Sequence, residues 1–132
     1  MSQGNVEIVR RVYEAFSSRN FDVIAELGHP DVEWRPYLSD LGGEPLRGIA
    51  AVRGYLESLA ADWDELQVEA EEFREVGNTV LVFVRTWARG RESGAQTEIH
   101  AAHVVTLRDG KVWRHRTYTD RNEALEAVGL RE

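Results

Sequence analysis

Cysteine is absent from the 132-residue sequence, which excludes disulfide bonds, thiolate metal sites and cysteine nucleophiles. No apolar run approaches the roughly 20 residues of a membrane-spanning helix. The opening residues lack the basic start and apolar stretch of a signal peptide, so we expect a cytoplasmic protein with no membrane partner. Basic residues are also scarce: 16 against 23 acidic residues give a formal net charge of −7, which argues against a nucleic-acid-binding protein.

Nucleotide-binding and serine hydrolase motifs are missing as well. The sequence contains no G-x-G-x-x-G, no P-loop and no G-x-S-x-G, so we expect no cofactor. What is present is ordinary for a globular domain, with 42% hydrophobic and 30% charged residues. No repeat, linker or low-complexity tract divides the chain, and we expect one domain over residues 1–132.

Apolar residues recur at helical spacing in the first part of the chain. Asn5 is a candidate N-cap for a first helix, whose apolar positions fall within residues 6–16. Asn20 is a candidate cap for a short second helix, which Gly28 would end. Two consecutive helices are therefore predicted at the N-terminus.

A strand and a third helix are predicted next. Residues 29–31 suggest a turn, residues 32–37 alternate as a strand, and the glycine-rich residues 38–48 suggest a loop. Helical spacing returns over residues 49–63. Gly54 in the middle of that helix costs about 1 kcal/mol relative to Ala, which suggests close packing at this point.

From Leu66 onward the apolar period changes to two, which is typical of strands. Phe73 is out of phase with the residues before it. One extra residue near Glu71 and Glu72 would restore the phase, so we predict a β-bulge there. Residues 77–78 are Gly-Asn, a hairpin signal that predicts an antiparallel return strand.

This return strand, residues 79–89, is apolar on both faces. One face must meet the core, and the other must meet a helix or another subunit. Apolar surface of this kind is unusual on a monomer, so we expect a homodimer through the outer face of the sheet. The expected contact residues are Leu81, Phe83 and Trp87.

The two last strands fix which side chains face inward. In residues 96–107 the less polar face carries His103. In the next strand Arg114 and Arg116 must point outward. The alternation then leaves three other residues of that strand facing inward: Trp113, His115 and Thr117.

The turn between these strands determines their register. A two-residue Asp109-Gly110 turn would pair inward with outward residues, whereas a three-residue turn over 108–110 with a glycine bulge would not. The three-residue turn predicts that His103 lies opposite His115.

Three segments resemble the SnoaL-like family of the nuclear transport factor 2-like superfamily. They are NVEIVRRVYEAFSSRNFDVIAELGHPDVEW, PLRGIAAVRGYL, and the C-terminal DGK turn followed by YTDRNEALEAVGL. The resemblance implies an α+β cone, in which N-terminal helices pack on the concave face of a strongly bent antiparallel sheet. It also implies a pocket for a small apolar molecule between the helices and the sheet.

The resemblance leaves the activity open. The superfamily includes polyketide cyclases, epoxide hydrolases, steroid isomerases, dehydratases and members without known catalysis. Its catalytic members tend to place a carboxylate on the inner sheet face, where this sequence offers His115 and Thr117. The chain is therefore either a cofactor-free acid–base enzyme or a non-catalytic domain that binds a ligand or a partner and keeps a vestigial pocket.

His103 and His115 are the first candidates for chemistry, because opposed histidines repel each other when charged and a neutral one can act as a general base. The alternative is a structural pair that is hydrogen-bonded within the core. Asp40, in the loop over the expected pocket mouth, is a third catalytic candidate. No metal site is expected, because His100 points to the other strand face from His103. The expected ligand-binding residues are Tyr13, Trp34, Tyr37, Trp113 and Thr117.

Overall fold

A computed structural model describes residues 2–36, 44–90 and 94–130. Its elements, in chain order, are α1 (Ser2–Ser17), α2 (Phe21–Leu27), β1 (Gly28–Arg35), β2 (Leu46–Arg47), α3 (Ile49–Asp62), β3 (Trp63–Val76), β4 (Thr79–Gly90), β5 (Gln96–Arg108), β6 (Lys111–Tyr118) and α4 (Arg121–Ala127). None of the helices in the described residues has the length and apolar character that a membrane crossing requires.

The strands of the described residues form one curved, open sheet in the order β2-β1-β6-β5-β4-β3. The β1–β6 pair is parallel and the other neighbouring pairs are antiparallel. The helices α1, α2 and α3 pack their apolar sides against the inner face of this sheet, and the main core lies between the two layers. The predicted α+β arrangement is therefore confirmed.

Of the two N-caps predicted from the sequence, one is confirmed and one is wrong. The side chain of Asn20 accepts a hydrogen bond from the Val23 N–H at 3.3 Å, which confirms it as the N-cap of α2. The N-cap predicted at Asn5 is wrong. Because α1 begins at Ser2, Asn5 lies inside the helix and the first turn uses residues nearer the N-terminus.

The connection from α2 into the sheet also differs from the prediction. β1 begins at Gly28, so the turn predicted over residues 29–31 is wrong. The pairing of β1 with β6 is irregular here, because its register shifts between Gly28 and Glu33. The predicted close packing at Gly54 is also wrong, since a β-carbon placed there would meet no atom within 4 Å.

The β-bulge predicted from the phase of Phe73 is confirmed. Ala70 pairs with Val84 and Glu72 with Phe83, so Glu71 is the extra residue of β3. The Gly77-Asn78 turn is confirmed too, since β3 ends at residue 76 and β4 begins at residue 79.

The two apolar faces of β4 meet different partners within the chain. Val80, Val82 and Val84 belong to the main core. Leu81 and Phe83 are buried in a second cluster, where the Ala124 and Leu125 side chains of α4 cover them. Of the two alternatives for the outer face, the helix is the one observed at these residues, so two of the three expected dimer contacts are covered inside the chain.

The predicted register of β5 and β6 is wrong. Arg108 pairs with Lys111, so the turn has two residues, and Asp109 (φ 55°) and Gly110 (φ 74°) both have the positive φ of a type I′ turn. That turn type matches the right-handed twist of the flanking strands. Val105 therefore lies opposite His115, and His103 lies opposite Thr117.

With a two-residue turn, inward residues of β5 would lie opposite outward residues of β6. An extra residue inside β6 prevents this mismatch. Leu107 pairs with Val112 and Thr106 with Arg114, so Trp113 is the inserted residue. Val112 takes the inward position that was predicted for Trp113, and it is buried in the main core. Beyond the insertion the faces agree with the prediction, because His115 lies opposite the core residue Val105.

Candidate functional site

Four ring side chains meet on the concave side of the sheet, each from a different element. α1 contributes Tyr13, β5 contributes His103, β6 contributes His115 and β1 contributes Trp34. Val9 and Phe16 are buried on the same side of α1 as Tyr13, so packing of this helix directs the tyrosine onto the sheet. The parallel pairing of β1 with β6 sets Trp34 directly beside His115. We refer to these four residues as the ring array.

Tyr13 and His103 are joined by a hydrogen bond. The Tyr13 Oη to His103 Nδ1 distance is 2.6 Å, and the two ring planes differ by 10°. The edge of Phe73 packs against Tyr13 with ring centroids 6.2 Å apart. The phenol is therefore held by packing on one side and by the imidazole on the other.

The histidines meet although they are not directly opposite each other. Their ring centroids lie 4.5 Å apart at an angle of 55°. Diagonal neighbours on adjacent strands are close enough for aromatic side chains to touch, so a shift of two residues in register keeps the contact. The predicted proximity is confirmed even though the predicted pairing is not.

His115 is the most enclosed polar side chain of the array, with 5% of its surface exposed. Its ring stacks on Trp34 with centroids 3.7 Å apart and planes 1° apart. Its Nδ1 atom is buried and has no hydrogen-bond partner among the described residues. An unpaired buried polar atom is costly, and such atoms often mark a place where water or a ligand completes the site.

Burial controls the charge of the array. It lowers the pKa of His103 to about 4. It also lowers the pKa of His115 well below its usual value, with a further contribution from repulsion by His103. Burial raises the pKa of Tyr13. All three groups are therefore uncharged near neutral pH, so the phenol can donate a hydrogen bond and each imidazole can both donate and accept one.

The other predicted site residues divide into two groups. Thr117 lies opposite His103 and shares its face of the sheet. Trp113 does not belong to the site, because the insertion in β6 places it against Arg108 and Arg114. Tyr37 and Asp40 lie outside the described residues.

Two spaces adjoin the array at opposite ends. A small apolar cavity of about 20 Å³, between the helices and β1 and β6, includes Trp34, Val32 and Val112 in its wall. An open groove of about 590 Å³ between α1 and β3 includes Tyr13 and Phe73. Neither of these two spaces has a histidine in its wall, and the single cavity bordered by both histidines stays a prediction.

Two contributors were missed from the sequence. Val112 replaces Trp113 as an inward residue, and nothing in the alternation indicates where the extra residue of β6 falls. Phe73 supports Tyr13, and its inward position follows from the bulge that was predicted at Glu71. In residues 2–36, 44–90 and 94–130, no three His, Asp or Glu side chains form a possible metal-binding group.

The fold and the family are shown by comparison with known proteins. The model of the SnoaL-like domain matches residues 9–115. Among solved structures, TerC co-crystallised with polyporic acid has a TM-score of 0.77 and 26% identity, over 95% of this chain and 97% of TerC. A Mycobacterium tuberculosis LEH-like epoxide hydrolase has a TM-score of 0.75 and 15% identity, over 96% and 90% of the two chains.

A second Mycobacterium tuberculosis protein, in complex with estradiol-17β-hemisuccinate, has a TM-score of 0.75 and 15% identity, over 87% of this chain and 92% of that one. No curated protein matches the sequence. The solved structures share the nuclear transport factor 2-like fold, and the family match covers most of the chain. The protein is a member of the SnoaL-like domain family.

Proposed function

We propose that this domain binds a small, largely apolar molecule on the concave side of the sheet, with its polar group directed at Tyr13 and His103. The observation that carries the proposal is the hydrogen-bonded, uncharged Tyr13–His103 pair beside an apolar core. Uncharged donors and acceptors suit a neutral ligand, because a charged ligand would lose its hydration without gaining a counter-ion.

The groove between α1 and β3 supports the same proposal. Its volume of about 590 Å³ lies within the range of small-molecule sites, and Tyr13 belongs to its wall. A ligand in the groove can therefore contact the phenol whose oxygen is bonded to His103. Two structural neighbours were crystallised with small molecules, polyporic acid in one and estradiol-17β-hemisuccinate in the other, which supports a small-molecule ligand for this domain.

The alternative of a purely structural histidine pair accounts for only part of the geometry. Tyr13 does satisfy Nδ1 of His103, as a structural role requires. Nδ1 of His115, however, has no partner among the described residues, which a structural role leaves unexplained. We therefore favour a ligand site over a vestigial pocket.

A cofactor-free acid–base reaction of the isomerase, cyclase, dehydratase or hydrolase type is the second candidate. The observation in its favour is the protonated Tyr13 hydroxyl, which can stabilise negative charge developing on a bound oxygen. His103 is a weak base at a pKa of about 4, so it suits hydrogen bonding better than proton abstraction. The candidate general base in this proposal is Asp40.

Titration with estradiol, the uncharged steroid part of one neighbour's ligand, and with its 17β-hemisuccinate tests the binding proposal. We expect saturable quenching of tryptophan fluorescence by estradiol, and weaker binding of the hemisuccinate because its carboxylate is charged. Tyr13→Phe and His103→Gln should weaken binding about tenfold, the effect of one lost hydrogen bond to a ligand. His100→Gln is the matched control, since that exposed histidine lies on the other face of β5. Absence of saturation with both ligands, or an equal loss in the control, would contradict the proposal.

We also propose a homodimer through the outer sheet face and a cytoplasmic location for the domain. With Leu81 and Phe83 under α4, the part of the predicted contact set that α4 leaves accessible is Trp87, which is half-buried beneath the Arg85 guanidinium at 3.9 Å. Interfaces are enriched in tryptophan and arginine, which supports this location. Sedimentation as a monomer at micromolar concentration would count against the dimer.

A further inference from the structure

Tyr13 lies across a row of three side chains on the inner face of the sheet. Strand pairing sets Phe73 beside Val82 and Val82 beside His103, so the three lie in register on β3, β4 and β5. Phe73 and His103 are therefore two strands apart, which is roughly 10 Å. The ring of Tyr13 packs against Phe73 and its hydroxyl reaches His103, so this side chain is held at both ends of the row.

Phe73 faces Tyr13 because of the bulge in β3. With Glu71 as the extra residue, Phe73 pairs with the core residue Val82 and points inward. Without the extra residue, the alternation of the strand would turn Phe73 to the outer face. Bulges are over-represented beside active sites, where they redirect a side chain. The irregular backbone of β3 therefore supplies the contact that Tyr13 makes at this end of the row.

Arg10 covers the ring of Phe73. Its guanidinium carbon lies 4.6 Å from the ring centroid, which is a cation–π arrangement. Arg10 and Tyr13 are three residues apart in α1, so they are neighbours on one side of the helix and Phe73 packs against both. The ion pair of Arg10 with Glu7 is long, at 3.8 Å, and half-exposed, so it restrains the guanidinium only weakly.

The same three side chains line the open groove between α1 and β3. Phe73 and Tyr13 are only half-buried there. A phenol that is held by one hydrogen bond alone can rotate about its side-chain torsions, and a hydrogen bond weakens steeply as its angle closes. Packing against Phe73 therefore keeps the 2.6 Å contact between Tyr13 Oη and His103 Nδ1 aligned.

We propose that Phe73 and Arg10 are positioning residues of the ligand site: Phe73 directs the Tyr13 hydroxyl at His103, and Arg10 keeps the Phe73 ring in place. This inference rests on the ligand site proposed above. Neither residue makes a polar contact with the ligand, because each acts through Tyr13. Loss of either should therefore weaken binding only while the Tyr13 hydroxyl is present.

Core packing alone is the alternative explanation for Phe73. It predicts a loss of stability on truncation, but no dependence on the hydroxyl of Tyr13. A double-mutant cycle separates the two explanations, because it measures whether two substitutions remove the same interaction.

Estradiol binding, followed by tryptophan fluorescence, provides this cycle. Phe73→Leu should weaken binding at least about fivefold in the original protein, but less than about twofold when Tyr13→Phe is already present. Phe73→Tyr keeps the ring and should stay within about twofold of the original protein. Phe21→Leu is the matched control, because it makes the same change at a half-buried ring that packs edge-to-face against Phe16 at 6.3 Å.

Nitrogen-15 spectra of the imidazole rings provide a readout that needs no ligand, with His103→Gln to identify the signal. The Nδ1 signal of His103 should move in Tyr13→Phe, which removes the hydrogen bond, and in Phe73→Leu, which misaligns it. Arg10→Met should give a smaller shift in the same direction. Arg11→Met, at the next exposed position of α1, should leave the signal unchanged.

Three results would overturn the proposal. They are an unchanged His103 signal in Phe73→Leu, an equal loss of binding with and without the Tyr13 hydroxyl, and an equal loss of binding in Phe21→Leu. If Phe73→Leu fails to fold, the His103 signal of Arg10→Met decides, because that exposed residue acts on the same ring. Absence of saturable binding of either steroid would instead count against the proposed function, and the nitrogen-15 spectra would still test the positioning role.

Discussion

Acidification should destabilise this protein between pH 6.5 and pH 4, because the ring array must stay uncharged. In the unfolded chain a histidine has a pKa of about 6.5, whereas burial lowers the pKa of His103 in the fold to about 4. Above pH 6.5 neither state binds a proton at this group. Below it the unfolded state binds one and the folded state does not, so the free energy of unfolding falls as pH falls.

The magnitude follows from the difference in pKa. One pKa unit corresponds to 1.36 kcal/mol, so the shift at His103 is worth about 3 kcal/mol once the pH reaches 4. This figure is an upper bound, since His103 is only half-buried. The lowered pKa of His115 acts in the same direction. A loss of about 3 kcal/mol is a large part of the 5–15 kcal/mol that stabilises a typical domain.

Urea denaturation followed by circular dichroism, repeated from pH 7.5 to pH 4, measures the effect. His103→Gln keeps a group that can bond to Tyr13 but removes the titration, so its stability should fall less steeply with acid. His100→Gln is the control, because His100 is exposed and bonded to Glu98 at the surface. The reasoning is refuted if His103→Gln loses as much stability as the original protein over this range.

Two further predictions concern the scaffold. Gly54→Ala should raise the free energy of unfolding by about 1 kcal/mol, since Gly54 lies inside α3 and a β-carbon there meets no atom; a lower melting temperature would contradict this. Arg121→Ala should lower the free energy of unfolding by about 1–3 kcal/mol and loosen α4, because it removes the 2.8 Å ion pair with Glu71 and the hydrogen bond to the Val84 carbonyl. Urea denaturation measures the loss of stability. Faster amide exchange in residues 121–127 measures the loosening of the helix.

Local features of the fold were predictable where a single residue carries the signal. Phe73 is out of phase, and an inserted residue is the only way to return it to the core face, so the bulge at Glu71 could be found from the sequence. Asn20 caps α2 with its own side chain, which is a local interaction too. In both cases the competing arrangements are few.

The register of the last hairpin was not predictable in the same way. The alternation of inward and outward residues along β5 and β6 predicts that His103 and His115 face inward, and both positions are confirmed. It does not predict where the extra residue lies. An extra residue in the turn or at Trp113 would equally well pair inward residues with inward residues. The contact between His115 and Trp34 also depends on parallel pairing between distant strands, which leaves no local mark in the sequence.

The array explains why burial favours binding over strong base catalysis at these residues. Its hydrogen bonds lie in a medium of low polarity, where each one is stronger than in water. The same medium lowers the pKa of both histidines, so a proton taken from a ligand would be held weakly. Burial of His103 and His115 therefore strengthens their hydrogen bonds to a ligand but weakens them as bases. The observed burial favours ligand recognition over proton abstraction. A reaction that uses a general base other than these histidines must take it from a residue outside the array, and Asp40 is the candidate that the sequence supplies.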